Sequence, residues 1–269
     1  MSRFRRAAAA VALAALTFIA VSPATASAAV PEHRRGATQR SYVALGDSFA
    51  AGVGAAPALD GCGSSAMAYP RLLAKLTRTK LTLAACGGAT MADVATEQLD
   101  ALAPSTDYVT LQAGGNDIGF VPVFGLCAQP DNDAQCAAAL GQSKAYLDSG
   151  FTDNARTLMA AVRARAPKAK LIVVGYPRLF NGTDCSQLVA YSAAEQQLMN
   201  ATIDLLNTRL AQAAAQVGAS FANPTSAFRG HAWCGRPSWI TGPENPVAFH
   251  PNALGQLLGY LPVVARKLL

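Results

Sequence analysis

The run Tyr42–Phe49, which reads Tyr-Val-Ala-Leu-Gly-Asp-Ser-Phe, constrains the fold more than any other stretch of the chain. Four strand-favouring residues end abruptly in Gly46, Asp47 and Ser48. A short apolar run bounded by turn residues reads as a buried strand. A serine hydroxyl is therefore expected at the carboxyl end of that strand, where a helix begins. In parallel α/β sheets this edge is where ligands bind. A helix starting there offers backbone N–H groups without intrahelical partners to a developing negative charge. Serine is also a common helix N-cap, so Gly-Asp-Ser alone leaves both roles open.

The rest of the chain repeats the strand-then-helix pattern. Short apolar segments at Tyr42–Leu45, Leu81–Ala84, Tyr108–Gln112, Leu171–Val174 and Ala219–Ala222 are each bounded by turn residues and predict strands. Helical spacing follows at Met67–Thr79, Met91–Leu102, Asp148–Arg165, Ser192–Gln216 and Pro251–Leu269. Alternation of this kind predicts an α/β fold with a parallel sheet covered on both faces. Three long connections remain: residues 118 to about 141, 180–188, and 223–249. Loops of that length usually shape a binding site.

The first residues belong to a different category. Arg3, Arg5 and Arg6 precede an apolar run from Ala7 to about Ala20, and Ala26-Ser27-Ala28 fits a cleavage site. This is a secretory signal peptide, residues 1–28. The apolar run is short for a bilayer span of about 20 residues, which argues against an anchor. The pair Arg5-Arg6 leaves the export route open. Residues 29–269 are read as one domain, with an unstructured start at 29–40. The formal charge of +6 falls to about +3 once the three leader arginines are gone. The remaining cations are scattered, apart from Arg34-Arg35 and a run from Arg163 to Lys170 at an expected helix end, where cations favour the helix dipole. No nucleic-acid footprint is present.

Six cysteines remain: Cys62, Cys86, Cys127, Cys136, Cys185 and Cys234. An even count in an exported chain reads as three disulfides. Fifteen pairings are possible, and sequential pairing closes the shortest loops. The cysteine and histidine spacings are not those of a metal site.

Acyl transfer needs a nucleophile, a base and donors for an oxyanion. Ser48 offers the first. Of the three histidines, His33 lies in the expected disordered start and His231 in a loop beside Cys234. His250 is expected to open the terminal helix, on the sheet edge that carries Ser48. The segments Gly114-Gly115-Asn116-Asp117 and Cys86-Gly87-Gly88 follow the third and second strands at the same edge. They would bring an amide side chain and a glycine N–H to the nucleophile.

Gly46-Asp47-Ser48, Gly88, Gly115-Asn116-Asp117 and His250 resemble the four blocks of the SGNH hydrolases, also called GDSL lipases and esterases. The resemblance covers nearly the whole of residues 29–269. It is strongest to secreted bacterial lipases and esterases with three disulfides. It implies a three-layer α/β/α sandwich with a five-stranded parallel sheet, SGNH/flavodoxin-like, and no cofactor. It implies Ser48 as nucleophile, His250 as base, and an oxyanion hole made by the N–H of Ser48, the N–H of Gly88 and the Asn116 amide. It also implies the pairs Cys62–Cys86, Cys127–Cys136 and Cys185–Cys234. Family members often carry an aspartate three residues before the histidine, where this chain has Val247. A backbone carbonyl of Val247 or Ala248 is therefore expected to orient the imidazole, in a Ser-His dyad rather than a triad with Glu244. The nucleophile elbow of the ordinary α/β-hydrolases, Gly-x-Ser-x-Gly, fails here at Ala50.

The function expected is a secreted, monomeric esterase or lipase acting on small-molecule or lipid esters, with at most transient contact with lipid surfaces. A carbohydrate O-deacetylase on the same scaffold is the alternative within enzymes. A non-catalytic lipid-binding protein is the alternative outside them, and it would have no need of Ser48 and His250 together.

Overall fold

Five parallel strands form one sheet in a computed structural model that describes residues 39–129, 131–181 and 191–269. They are β1 (Ser41–Gly46), β2 (Lys80–Leu83), β3 (Tyr108–Gln112), β4 (Lys170–Val174) and β5 (Ser220–Ala222). Their spatial order is β2-β1-β3-β4-β5. The ladder between β1 and β3 sets Leu45 beside Leu111 and ends with Gly46 beside Gln112. Val43, Ala44 and Leu45 of β1 and Leu171–Val174 of β4 are buried, which is why these strands read as unbroken apolar runs. Strand β2 lies at an edge, and its side chains alternate between exposed and half-buried.

The helices are α1 (Ser48–Ala51), α2 (Tyr69–Thr77), α3 (Met91–Asp93), α4 (Phe120–Cys127), α5 (Asp133–Ser149), α6 (Phe151–Arg165), α7 (Ala193–Gln216) and α8 (Leu261–Leu268). Helices α2 and α8 pack together in one layer, while α5 and α6 pack on α7 in the other. Ser192 caps α7, and Glu195 returns a hydrogen bond to the cap backbone. That reciprocal pair satisfies two backbone donors at the helix start.

Three expectations about elements need correction. The stretch from residue 118 to 141 is largely helical, because it contains α4 and the start of α5. Helix α4 reads Phe-Val-Pro-Val-Phe-Gly-Leu-Cys, and Pro122 and Gly125 are weak helix signals. It is held by packing on α5 and by the Cys127–Cys136 disulfide. Asp148 belongs to α5, and α6 starts after Gly150. Pro251 does not open the terminal helix. It bridges to Ile240, and the Asn252 side chain accepts from Leu254 N and Gly255 N at 3.0 and 3.1 Å. A wide helical turn, Gly255–Tyr260, then leads into α8.

Cys62–Cys86 and Cys127–Cys136 are bonded as the sequential pairing requires. The expected Cys185–Cys234 pair involves Cys185, which lies outside the described residues, as do the expected signal peptide (residues 1–28), residues 29–38 and most of the 180–188 loop.

The strand order decides where a site can form. From β1 the chain crosses to β2 on one side, and later returns to β3 on the other. In the doubly wound order 2-1-3-4-5 this is the switch point, and a crevice opens beyond the carboxyl ends of β1 and β3. Ser48 follows β1 by two residues and Asn116 follows β3 by four.

Candidate active site

Gly46 ends β1 with φ +141°, and a Cβ placed there would lie 2.1 Å from the carbonyl oxygen of Gln112. Only glycine admits that approach. It lets Asp47 N donate to Gln112 O at 2.9 Å. Asp47 then caps α1, its Oδ1 accepting from Phe49 N at 3.0 Å. Ser48 is thus the first helical residue, and the capping role belongs to its neighbour. No acceptor meets the Ser48 N–H among the described residues.

The Ser48 hydroxyl lies 2.8 Å from His250 Nε2, across 202 positions of sequence. His250 Nδ1 lies 2.8 Å from the carbonyl oxygen of Ala248. A carbonyl only accepts, so Nδ1 carries the proton, and in the neutral ring Nε2 presents its lone pair to Ser48. Burial holds the imidazole below its ordinary pKa, while the carbonyls of Ala248 and Val247 oppose that shift. Of the two expected orienting carbonyls, Ala248 makes the bond to Nδ1. The Val247 carbonyl accepts from Thr241 Oγ1 at 2.8 Å. Glu244 is exposed and makes no hydrogen bond to His250 among the described residues.

His250 stands on an irregular turn rather than at a helix start. Thr241 holds it from several sides. His250 N donates to Thr241 Oγ1 at 3.0 Å, Thr241 N donates to His250 O at 2.8 Å, and Phe249 N donates to Thr241 O at 3.0 Å. Phe249 has φ +59°, a conformation that costs of order 1–3 kcal/mol for a residue with a side chain. Its ring is buried against Phe124, Phe180, Tyr191 and Trp233, and that packing offsets the strain.

Asn116 Nδ2 donates to Ala89 O at 2.9 Å, which ties the turn after β3 to the residue following Gly88. Gly88 is exposed, with φ +81°, and its N–H meets no acceptor among the described residues. Asp117 accepts from Met91 N, both oxygens at 3.1 Å. The glycine turn is anchored from below by Cys62–Cys86 and by Gly87 N donating to Cys62 O at 2.9 Å.

A narrow cleft with about 40 Å³ of space for solvent is lined by Ser48, Asn116, His250 and the apolar Phe120, Val121, Phe124 and Phe249. Gly88 is not part of that lining; its turn is tied to the site by the Asn116–Ala89 and Asp117–Met91 bonds and by Cys86 N donating to Gly46 O. His231 lies apart from the cleft, stacked on Trp239 with centroids 3.8 Å apart, its Nδ1 2.9 Å from Pro237 O. Cys127, Cys136 and Glu195 converge as metal ligands would, but the two sulfurs are bonded to each other.

Three residues near the Ser48–His250 contact escaped the sequence reading. Asp47 lay inside the motif without an assigned role. Thr241 and Tyr176 carried no signal at all, since each acts through contacts that only folding creates. Tyr176 OH donates to Asp47 Oδ2 at 2.5 Å and accepts from Gly115 N at 3.2 Å.

The sequence matches the GDSL-like lipase/acylhydrolase family over residues 44–258. The chain belongs to that family. It is 36% identical over 246 residues to a lipase of Streptomyces rimosus, covering 89% of this chain and 90% of the relative. Among solved structures it is similar to a phospholipase A1 of Streptomyces albidoflavus NA297 and to an extracellular lipase of Streptomyces rimosus. Each has a TM-score of 0.81 and 34% identity, and each match covers 85% of this chain and 99% of the other. As a GDSL-family protein of this lineage, the chain is a carboxylic-ester hydrolase of the lipase/esterase class.

Proposed function

We propose that the protein hydrolyses lipid or acyl esters outside the cell, through a Ser48–His250 dyad and a covalent acyl-enzyme. The observation that carries this reading is the 2.8 Å contact between Ser48 Oγ and His250 Nε2, with Nδ1 turned onto Ala248 O. In the first step Nε2 takes the hydroxyl proton as Oγ attacks the ester carbonyl. The negative charge on the former carbonyl oxygen is met by the N–H of Ser48, the N–H of Gly88 and the second amide hydrogen of Asn116. The imidazolium then gives its proton to the leaving alcohol. Water enters, the same imidazole removes its proton, and the carboxylic acid leaves with Ser48 restored. In the substrate complex the Asn116 amide would give one hydrogen to Ala89 O and the other to the oxyanion, as a primary amide has two donors.

Phe120, Val121, Phe124 and Phe249 favour an acyl chain over a sugar in the cleft. Rates on p-nitrophenyl esters of increasing chain length test this, and a sharp optimum at acetate would favour a deacetylase instead. Phospholipase A1 activity, named for one relative, is tested on a phospholipid labelled separately at each acyl position. A fluorophosphonate probe should label the purified protein and fail on Ser48→Ala. Labelling that survives this change would remove Ser48 as nucleophile and exclude the dyad.

Export and cleavage after Ala28 are part of the same proposal. The arginine-led apolar leader supports it, as does the name of the extracellular relative. N-terminal sequencing of protein recovered from culture medium should begin at Ala29. No helix among the described residues is long and apolar enough to cross a membrane.

A further inference from the structure

We propose that Tyr176 is a positioning residue for ester hydrolysis, its phenol clamping the turn that carries Ser48 to the turn that carries Asn116. The proposal rests on the reading of Ser48 as nucleophile and Asn116 as oxyanion donor.

The need for a clamp follows from where the sheet stops. The β1–β3 ladder ends at Gly46 beside Gln112. One further bond, Asp47 N to Gln112 O, lies just past it. Beyond that point the two turns leave the sheet, and no backbone bond joins Ser48–Gly52 to Ala113–Gly119 among the described residues. The phenol of Tyr176 spans this gap. It donates to Asp47 Oδ2 and accepts from Gly115 N, so its two partners are the residues immediately before Ser48 and Asn116. Both capacities of the hydroxyl, one donor and one acceptor, are therefore used.

Tyr176 is itself held firmly. Its N donates to Asn207 Oδ1 and its carbonyl accepts from Asn207 Nδ2, both at 2.8 Å. Its ring meets Phe49 and Phe120 edge-on, with centroids 5.2 and 6.3 Å apart. Strand β4 and helix α7 thus fix the phenol, and the phenol fixes the two turns. Asp47 is buried and has no cationic partner among the described residues, so burial raises its carboxyl to about 7, and the Tyr176 hydrogen bond opposes that rise. An unanchored carboxyl in this position would be free to rotate and would carry the cap of α1 with it.

Oxyanion donors act only when held at the right separation from the nucleophile, and a misplacement of about 1 Å costs on the order of a hundredfold in rate. Tyr176→Phe keeps the ring and removes only the hydroxyl. In the full mature chain, on a soluble p-nitrophenyl ester, it should lower kcat roughly ten- to a hundredfold while KM stays within about twofold. The same substitution in an Asn116→Ala background should cost much less, because the donor it positions is already gone. A kcat within about twofold of the parent, or an equal fold loss in both backgrounds, overturns the clamp. Ser48→Ala separates the two failures. If it is inactive while Tyr176→Phe is normal, only the clamp is lost. If it remains active, the underlying reading is lost.

Discussion

The two halves of the proposed Ser48–His250 dyad are held by different means. Ser48 sits on a strand-to-helix joint whose position follows from the β1–β3 ladder, the Gly46 close approach and the Asp47 cap. His250 sits in an irregular segment, where the Thr241 backbone and hydroxyl, the Ala248 carbonyl and a strained Phe249 fix its ring. The first region inherits its precision from a repeating backbone pattern. The second assembles it from individual side-chain bonds and one buried ring. Apart from the Tyr176 phenol, which joins the Ser48 turn to the Asn116 turn, single substitutions away from Ser48 and His250 should therefore disturb the histidine side more readily than the serine side.

The largest effects probe the pair as a unit. His250→Ala and Ser48→Ala should each lower kcat by roughly 10⁵–10⁶-fold, and the double variant by little more, because the two groups act together. Additive losses in single-turnover kinetics would show that they do not. Next is Asn116→Ala, expected to cost about 10²–10³ in kcat with little change in KM. A purely KM effect would move Asn116 from the oxyanion to substrate binding. Thr241→Val tests the contrast between the two regions directly. It removes the hydroxyl that bonds His250 N and Val247 O, and a lost buried hydrogen bond costs about 1–3 kcal/mol. We expect kcat to fall about tenfold with the fluorophosphonate site still intact. Full activity would mean that the Ala248 carbonyl alone holds the ring.

The pH profile tests the electrostatics of the histidine side. Catalysis needs the neutral imidazole, and burial lowers the His250 pKa below 6.5. Activity should therefore rise with pH and level off with its midpoint on the acid side of 6.5. A midpoint above 6.5 would imply a carboxylate stabilising the imidazolium. Glu244→Gln is expected to have the smallest effect, within about twofold in kcat, since the Glu244 carboxylate is exposed and away from Nδ1. A thousandfold loss with the fold intact would replace the dyad with a triad.

Legibility in the sequence followed the same division. Strands β1, β3 and β4 could be read to within a residue or so, because turn residues bound them and their interiors are buried on both faces, although β3 buries the polar Thr110 and Gln112 among its apolar residues. Helices α4 and α5 could not be read as such, because Pro122, Gly125 and the alanine-rich run around Cys136 lack a clear amphipathic period. Ser48, Asn116 and His250 were visible as motifs at strand ends and near the terminal helix. The choice between the Val247 and Ala248 carbonyls was open in the sequence, since two adjacent carbonyls are chemically identical. It was made by Thr241, which occupies one of them. Tyr176 had no local marker, because its two partners lie 129 and 61 positions away.

The sequence by itself determined the layered α/β architecture and the sheet edge at which the candidate reacting groups, Ser48 and His250, would meet. Those depend on periodicity, turn residues and motif composition, all of which are local. Only the tertiary structure decided which carbonyl orients the imidazole, which aspartate caps the nucleophile's helix and which tyrosine bridges the two turns. Each of these is a hydrogen bond of about 3 Å between residues held by different elements, and a bond that short forms only once the sheet and its helical layers have brought those elements together.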